Sequence, residues 1–301
     1  MRLLPTAFLS GGSAEAKRRF AMNRRSFLET SFGATLSELV SSGVGWAAGD
    51  HSIETIGLQL YTVRSELKRD FENTLARVAE IGYREVEFAG LLDHSPRAVR
   101  AVLDGAGLAG VSSHVDFKSL GDPLPKILDG AHTIGQKYIV CPWIDEEIRK
   151  QPDGWKRAAE TFNRAGEVSQ KAGIKFAYHN HTFEFVKERV LGGKLPYDVL
   201  LAETDPKLVQ MEMDLCWITE GGQDPLAYFD RYPGRFPLVH VKDMTKDHQM
   251  TEVGSGAIDW RRIFAQSEKA GMRHYFVEHD EPRAPFDSIL TSYESLRKLR
   301  F

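Results

Sequence analysis

The unit that decides the fold is clearest in residues 154–181, which read GWKRAAETFNRAGEVSQKAGIKFAYHNH. Gly154–Lys171 has the pattern of a helix, and Ile174–His179 is a short apolar run of the kind that forms a buried strand. Gly173 stands between the two, where a left-handed residue commonly ends a helix. The stretch therefore predicts a helix that leads directly into a strand.

The same alternation continues from Ile56 to the end of the chain. The predicted strands begin 25 to 38 residues apart and are Ile56–Leu60, Glu85–Ala89, Gly110–His114, Tyr138–Cys141, Ile174–His179, Gln210–Leu215, Pro237–Val241 and Tyr275–Glu278. The predicted helices are Phe71–Ile81, Arg97–Ala106, Leu124–Ile134, Gly154–Lys171, Pro196–Ala202, Pro225–Phe229, Trp260–Lys269 and Phe286–Leu299.

Strands that alternate with helices pair in parallel through right-handed crossovers. Eight such units in about 250 residues predict an α/β fold, a single-domain (β/α)₈ TIM barrel over residues 51–301. An open doubly wound sheet is the alternative, but no Gly-x-Gly-x-x-Gly follows the first strand.

Residues 1–50 differ in composition from the rest of the chain. Residues 1–48 hold six basic and three acidic side chains, a net charge of +3, which leaves −6 on the remainder and −3 on the whole chain. Asn23-Arg24-Arg25-Ser26-Phe27-Leu28 is followed by a weakly apolar stretch and by the small residues Ala47 and Ala48. This order resembles a twin-arginine signal peptide and implies an exported, periplasmic or extracytoplasmic protein. An amphipathic helix or a disordered lead is the alternative.

The composition excludes several classes of protein. With 42% hydrophobic and 10% aromatic residues, the chain can bury a core and is not a disordered protein. No run of 18 apolar residues could span a bilayer, and two cysteines are too few for a disulfide framework. Outside the first 25 residues, no cluster of Lys and Arg indicates a nucleic-acid surface. We expect a globular enzyme with no nucleic-acid partner and no stable membrane insertion.

Polar side chains gather where the predicted strands end, which is where a TIM barrel builds its active site. These residues are Gln59, Tyr61, Glu85, Glu87, His114, His179, His181, Glu184, Glu212, Asp214, His240, Lys242, Asp243, Glu278 and Asp280. Ionised groups that converge inside a barrel must be paired or bind a metal. Histidine with carboxylates, without a thiolate, suits Mn²⁺, Fe²⁺, Co²⁺ or Zn²⁺ rather than a structural zinc. Taken singly, a strand-end histidine can be a hydrogen-bonded structural residue, and Asp243 and Asp280 can be helix caps.

Seven runs of the sequence occur in a specific order and spacing: Ile56–Arg64, Gly82–Phe88, Tyr178–Phe185, Asp214–Trp217, His240–Asp243, Gly254–Trp260 and Val277–Glu278. Together they resemble the sugar phosphate isomerase/epimerase family of xylose-isomerase-like barrels, which includes inosose dehydratase. The resemblance implies one divalent metal, Mn²⁺ before Co²⁺, Fe²⁺ or Zn²⁺, held by Asp214, His240 and Glu278. His179 falls where the family commonly has a fourth ligand, a Glu on strand five, and is expected to take that place, with His181 or Glu184 as the alternative.

The resemblance also implies roles for the other residues. Glu278 or Glu184 would act as the base, Lys242 would stabilise oxyanion charge, and His114 or His181 would protonate a departing hydroxyl. The substrate-binding residues would be Gln59, Tyr61, Glu87, His114 and Trp217. For Lys242, an ion pair with Glu212 or Asp214 is the structural alternative. Gly254 and Gly256 would form either a loop that closes over substrate or a simple turn.

The function expected from these residues is isomerisation or epimerisation of a sugar or keto-sugar through an enediolate. His179, in place of the Glu with which the family's epimerases return a proton, and the run Tyr178-His179-Asn180-His181, which resembles inosose dehydratase, make elimination from a keto-sugar or keto-glycoside the alternative. A non-catalytic sugar-binding barrel and a phosphodiesterase of the endonuclease IV type are weaker alternatives. The expected partner is a small carbohydrate, with a homo-oligomer also compatible with the family.

Overall fold

The computed structural model describes residues 51–188 and 191–301, which contain a closed barrel of eight parallel strands. The barrel strands are β1 (Gly57–Gln59), β2 (Glu85–Phe88), β3 (Ala109–His114), β4 (Tyr138–Cys141), β5 (Lys175–His179), β6 (Val209–Asp214), β7 (Leu238–Val241) and β10 (His274–Val277). Each pairs with its neighbour in the sequence, and β10 pairs with β1 to close the ring. The predicted TIM barrel is confirmed, whereas the predicted leader lies outside the described residues.

The predicted helices follow the strands in the expected order, and three short helices, Arg64–Arg69, Glu146–Arg149 and Leu215–Glu220, were not predicted. They are α1 (Arg64–Arg69), α2 (Phe71–Ile81), α3 (Pro96–Ala106), α4 (Leu124–Ile134), α5 (Glu146–Arg149), α6 (Gly154–Lys171), α7 (Pro196–Glu203), α8 (Leu215–Glu220), α9 (Pro225–Arg231), α10 (Trp260–Phe264), α11 (Ser267–Ala270) and α12 (Pro285–Lys298). The predicted helix Trp260–Lys269 is therefore two short helices. None of these helices is long and apolar enough to cross a membrane.

A small antiparallel hairpin was not predicted from the sequence. Its strands, β8 (Asp243–Met244) and β9 (Met250–Thr251), follow directly after β7. Two residues per strand are too few to show an alternating pattern. The hairpin begins the connection between β7 and α10, at the end of the barrel where the polar residues lie.

The interior of the barrel changes from apolar to polar along the strands. One apolar cluster inside it consists of Val111, Tyr138, Val140, Ala177, Leu238 and Phe276. Because side chains two residues apart on a strand share a face, Ala177 is followed on that face by His179, and Leu238 by His240. The apolar cluster thus forms the floor on which the polar residues of the strand ends rest.

Candidate active site

Most of the polar side chains predicted at the strand ends converge inside the C-terminal mouth of the barrel. Glu85 does not, because it begins β2 and pairs with His274, which begins β10, at the opposite end of the barrel. Most of the side chains in the mouth are almost completely buried: Gln59, Glu87, His179, Glu212, Asp214, His240, Lys242 and Glu278. His114 and Asp280 are partly exposed at its edge. Burial of so many ionisable groups is costly unless each has a partner of opposite charge or a cation.

Three predicted metal ligands form one group, named here the Asp214 group: Asp214, His240 and Glu278. One donor atom from each lies within 4.8 Å of the others. His240 Nδ1 lies 2.7 Å from Glu278 Oε2 and 3.9 Å from Asp214 Oδ2. Asp214 Oδ1 accepts the backbone N–H groups of Cys216 and Trp217 at the start of α8. The second oxygen, Oδ2, is therefore left to face the group.

Lys242 lies beside the Asp214 group. Its Nζ is 3.2 Å from Asp214 Oδ2, 2.9 Å from Glu278 Oε2 and 2.8 Å from Asp280 Oδ1. Burial opposes the charged ammonium, but these carboxylates outweigh it and raise the pKa of Lys242 well above its ordinary value. The ion pair with Asp214 is thus present, and the alternative pairing with Glu212 is not found among the described contacts.

Glu87, predicted to bind substrate, forms a hydrogen bond with His240 inside the barrel. Glu87 Oε1 lies 2.8 Å from His240 Nε2 and accepts a hydrogen bond of 2.7 Å from the Gln59 amide. Its other oxygen, Oε2, accepts a hydrogen bond of 2.6 Å from the Ser112 hydroxyl. Burial raises the pKa of Glu87, but His114 and His240 outweigh it and keep that pKa well below its ordinary value. Gln59 and Glu87 are therefore fully buried, and their polar groups are hydrogen-bonded to other protein side chains.

A second set of donors, named here the histidine group, consists of His114, His179 and Glu212. His114 Nε2 and His179 Nδ1 each lie 3.2 Å from the same oxygen, Glu212 Oε2. His179, predicted to complete the ligands Asp214, His240 and Glu278, thus has its Nδ1 next to Glu212. The two groups are adjacent, because His240 Nε2 is also 3.2 Å from Glu212 Oε2.

Aromatic residues surround His181 at the rim of the mouth. The His181 ring packs edge-on against His179 and Trp143, with centroid distances of 4.8 and 5.1 Å, and lies 6.3 Å from Trp217. Burial, helped by the nearby Lys242, lowers the pKa of His181 to about 3. His181 Nδ1 and Trp217 Nε1 have no hydrogen-bond partner within residues 51–188 and 191–301. Tyr61 is 39% exposed and lies under the Arg64 guanidinium.

Glu184, predicted as a base, is held away from the two ligand groups. Its carboxylate accepts the Tyr178 hydroxyl and, at 2.9 Å, the backbone N–H of His181. Tyr178 faces the helix layer, where its ring packs 5.0 Å from that of Phe162 on α6. Burial raises the pKa of Glu184 to about 8. This position on the outer side of β5 does not favour Glu184 as the base.

The sequence and the fold are similar to those of known proteins. Residues 75–299 match the family described as Xylose isomerase-like TIM barrel. The chain belongs to this family. Inosose dehydratase from Geobacillus kaustophilus is 28% identical over 65% of this chain and 75% of its own length, and that from Lacticaseibacillus casei 24% over 75% and 88%. A solved sugar phosphate isomerase/epimerase from Parabacteroides distasonis is 29% identical, with a TM-score of 0.72 over 83% of this chain and 97% of that one. The predicted family is confirmed.

Two residues of this xylose isomerase-like barrel, Ser112 and Trp143, were not predicted for the site. Ser112 supports Glu87, and its signal was available, since it lies two residues before His114 on the same face of β3. Asp280 was predicted among the strand-end residues, with a helix cap as the alternative, and it accepts a hydrogen bond from Lys242. Trp143 reaches His181 from the loop after β4, and a tryptophan in a loop carries no pattern that places it at a site.

Proposed function

We propose that this chain is a divalent-metal-dependent enzyme that removes the proton next to the carbonyl group of a sugar or keto-sugar. The observation that carries the proposal is the Asp214 group with Lys242 beside it, at the mouth of the barrel. The broader expectation of an enzyme that acts on sugars agrees with the family and with the named relatives.

The donors of the Asp214 group fit a divalent cation. Two carboxylates and one imidazole suit Mn²⁺, Fe²⁺, Co²⁺ or Zn²⁺, and we propose Mn²⁺. Asp214 Oδ2 is buried and, among the described residues, has no hydrogen-bond partner, although the Lys242 ammonium is near it. A bound cation would polarise the substrate carbonyl and stabilise the enediolate that forms on proton removal.

The protein residues have separate tasks in this reaction. Glu278 contacts both Lys242, at 2.9 Å, and His240, at 2.7 Å, and we assign it the transfer of the α-proton. Lys242 lies where it can neutralise negative charge that develops on the substrate oxygen. His181 presents an unpartnered ring nitrogen at the rim, but its pKa of about 3 leaves the ring neutral, which does not favour the predicted role as proton donor. Glu278, once it has taken up the α-proton, would pass that proton to the departing hydroxyl. Trp217 and Tyr61 provide rim surfaces against which a sugar ring can pack.

Elimination is the outcome that this site favours. β5 ends in His179, where the epimerases that the sequence resembles have a second carboxylate to return the proton from the other face. Glu184 does not replace it, because Tyr178 and the backbone of His181 hold its carboxylate. The similarity to inosose dehydratases supports a dehydratase-type lyase. Isomerisation or epimerisation remains the second candidate, which the similarity to the Parabacteroides isomerase/epimerase supports.

Incubation of the Mn²⁺-loaded protein with keto-sugars in D₂O separates these outcomes. Loss of water or of an aglycone identifies a lyase, and deuterium at the α-carbon of an otherwise intact sugar identifies an epimerase or isomerase. Glu278→Gln should abolish both, while Glu281→Gln, at an exposed residue nearby, should not. Sugar binding without deuterium exchange or product would reject an enzyme in favour of a binding protein.

We also propose export by the twin-arginine route, on the basis of residues 23–28. Sugar phosphates are mainly cytoplasmic metabolites. An exported enzyme would therefore act on an unphosphorylated substrate such as an oxidised sugar or a keto-glycoside.

A further inference from the structure

We propose that the histidine group, His114, His179 and Glu212, is a second divalent-cation site next to the Asp214 group. It would take a borderline transition metal, Zn²⁺ or Co²⁺, because two of its three donors are imidazoles. This site goes beyond the proposed function, which needs one cation at Asp214, His240 and Glu278.

The spacing of the donors is that of ligands around one ion. Two atoms that bind the same zinc ion at about 2.0 to 2.2 Å lie roughly 3 to 3.5 Å apart. His114 Nε2 and His179 Nδ1 are each 3.2 Å from Glu212 Oε2, and all three donors lie within 4.8 Å of one another. They come from the ends of β3, β5 and β6, so the backbone of the barrel fixes their positions.

Two buried atoms of the histidine group are left without a hydrogen bond. Within the described part of the chain, His179 Nδ1 and Glu212 Oε1 have no partner, although His179 is 2% exposed and Glu212 not at all. An unpartnered buried polar atom costs about 1–3 kcal/mol. His179 Nδ1 lies 3.2 Å from Glu212 Oε2 but forms no hydrogen bond with it. A cation bound between these two atoms would satisfy both.

His240 can serve the Asp214 group while the histidine group holds its own ion. Its Nε2 lies 2.8 Å from Glu87 Oε1, which leaves Nδ1 for Asp214 and Glu278. The histidine group needs no atom of His240 to reach three protein ligands. A catalytic zinc site likewise has three protein ligands and an open position.

The charges around the centre are compatible with two cations. Five acidic side chains contact it, and Lys242 supplies one compensating ammonium; the acidic residues are Glu87, Glu212, Asp214, Glu278 and Asp280. When both groups hold a metal, the ligating histidines are neutral and four negative charges remain. Two divalent cations, one at the Asp214 group and one against Glu212 and beside Glu87, would offset them.

The test is the metal stoichiometry of the full-length protein. Apo protein is saturated with Zn²⁺, or with Co²⁺ to record ligand-field absorption, and the tightly held metal is measured after gel filtration. We expect about two equivalents for the wild type and about one for Glu212→Gln and for His114→Asn, with the remaining equivalent lost in Asp214→Asn/Glu212→Gln. His248→Asn, at an exposed histidine paired with Glu220, should keep both equivalents.

One equivalent in the wild type, unchanged by Glu212→Gln and His114→Asn but lost in Asp214→Asn, would overturn the second site and leave the proposed function standing. One equivalent lost in Glu212→Gln but kept in Asp214→Asn would support the histidine group and reject the Asp214 group instead. Circular dichroism establishes that each variant is folded, and His114→Asn is the safer substitution because His114 is partly exposed.

Discussion

At the scale of single residues, Glu87 shows what the sequence could not reveal. Its place on a strand end was predicted, and with it a polar side chain in the barrel mouth. Its direction within that mouth depends on Gln59, Ser112 and His240, which come from three other strands. A carboxylate that accepts from one ring nitrogen of a histidine fixes which nitrogen is free for a metal. We therefore expect Glu87 to act through His240 rather than on the substrate.

Replacement of Glu87 tests this role. We expect Glu87→Gln to weaken binding of Mn²⁺ by about 10- to 100-fold, the usual effect of losing such a partner. Competition with a chelating dye measures the affinity. Ser112→Ala, which removes only one hydrogen bond to Glu87, should change it much less. Unchanged metal affinity with weaker sugar binding would instead support the sequence-based assignment of Glu87 to the substrate.

Glu184 offers a prediction about pH. Burial raises its pKa to about 8 in the fold from an ordinary value of 4.5, so the folded protein keeps this proton longer than the unfolded chain. Stability from this group is therefore complete below about pH 4.5 and is lost as the pH rises to about 8. Glu184→Gln cannot ionise, so its free energy of unfolding should rise relative to that of the wild type by about 3 kcal/mol between pH 5 and pH 8.

Urea unfolding at both pH values measures this difference. The same variant should retain deuterium exchange within about threefold, because its carboxylate faces Tyr178 and α6. An equal difference in the free energy of unfolding between variant and wild type at pH 5 and pH 8 would contradict the raised pKa. Loss of deuterium exchange in a folded variant would restore Glu184 as the base.

At the scale of secondary-structure elements, the first and last residues of every barrel strand were predicted to within two residues. For Tyr138–Cys141 both end residues were predicted correctly. Short runs of buried apolar residues between glycine-ended helices are local signals. The connections were less predictable. α8 begins directly after Asp214, whose side chain accepts its first N–H groups, and no gap in the pattern marks that boundary.

The connection after β7 is held by Asp243, which settles an open question about Gly254 and Gly256. The Asp243 carboxylate accepts N–H groups of Met244, Gly254, Gly256 and Ile258 and, at 2.9 Å, the indole N–H of Trp260. A Cβ at Gly256 would lie 2.1 Å from Asp243 Oδ1, so glycine is required there. This segment is a fixed turn around a buried carboxylate.

Removal of that carboxylate should destabilise the element. Asp243→Ala leaves several buried N–H donors without an acceptor, and each such donor costs about 1–3 kcal/mol. We therefore expect the free energy of unfolding to fall by about 3 kcal/mol or more. Asp259→Ala, which removes one exposed cap from Arg262 on α10, should cost about 1 kcal/mol. Urea unfolding compares the two variants, and hydrogen exchange at residues 254–258 should accelerate only in Asp243→Ala. Equal losses would show that the turn does not depend on Asp243.

At the scale of the whole molecule, the charge of the chain is unevenly divided. The barrel carries the acidic excess, and much of it lies inside the mouth, where a carboxylate is stable only beside a cation or a donor. Under the proposed export, a metal that offsets this buried charge would best be bound before the protein leaves the cytoplasm, where the metal supply is controlled. The twin-arginine route suits this order because it carries folded proteins.

Export through residues 23–28 predicts where the protein is found. Arg24→Lys with Arg25→Lys should remove it from the periplasmic fraction, while folded, metal-containing protein accumulates in the cytoplasm. The chain provides a matched control in its other arginine pair, Arg18 and Arg19, for which the same double substitution should leave export unchanged. Fractionation with metal analysis of each pool measures both. If neither pair affects the distribution, the run at residues 23–28 is not a signal, and the argument for an unphosphorylated substrate falls with it.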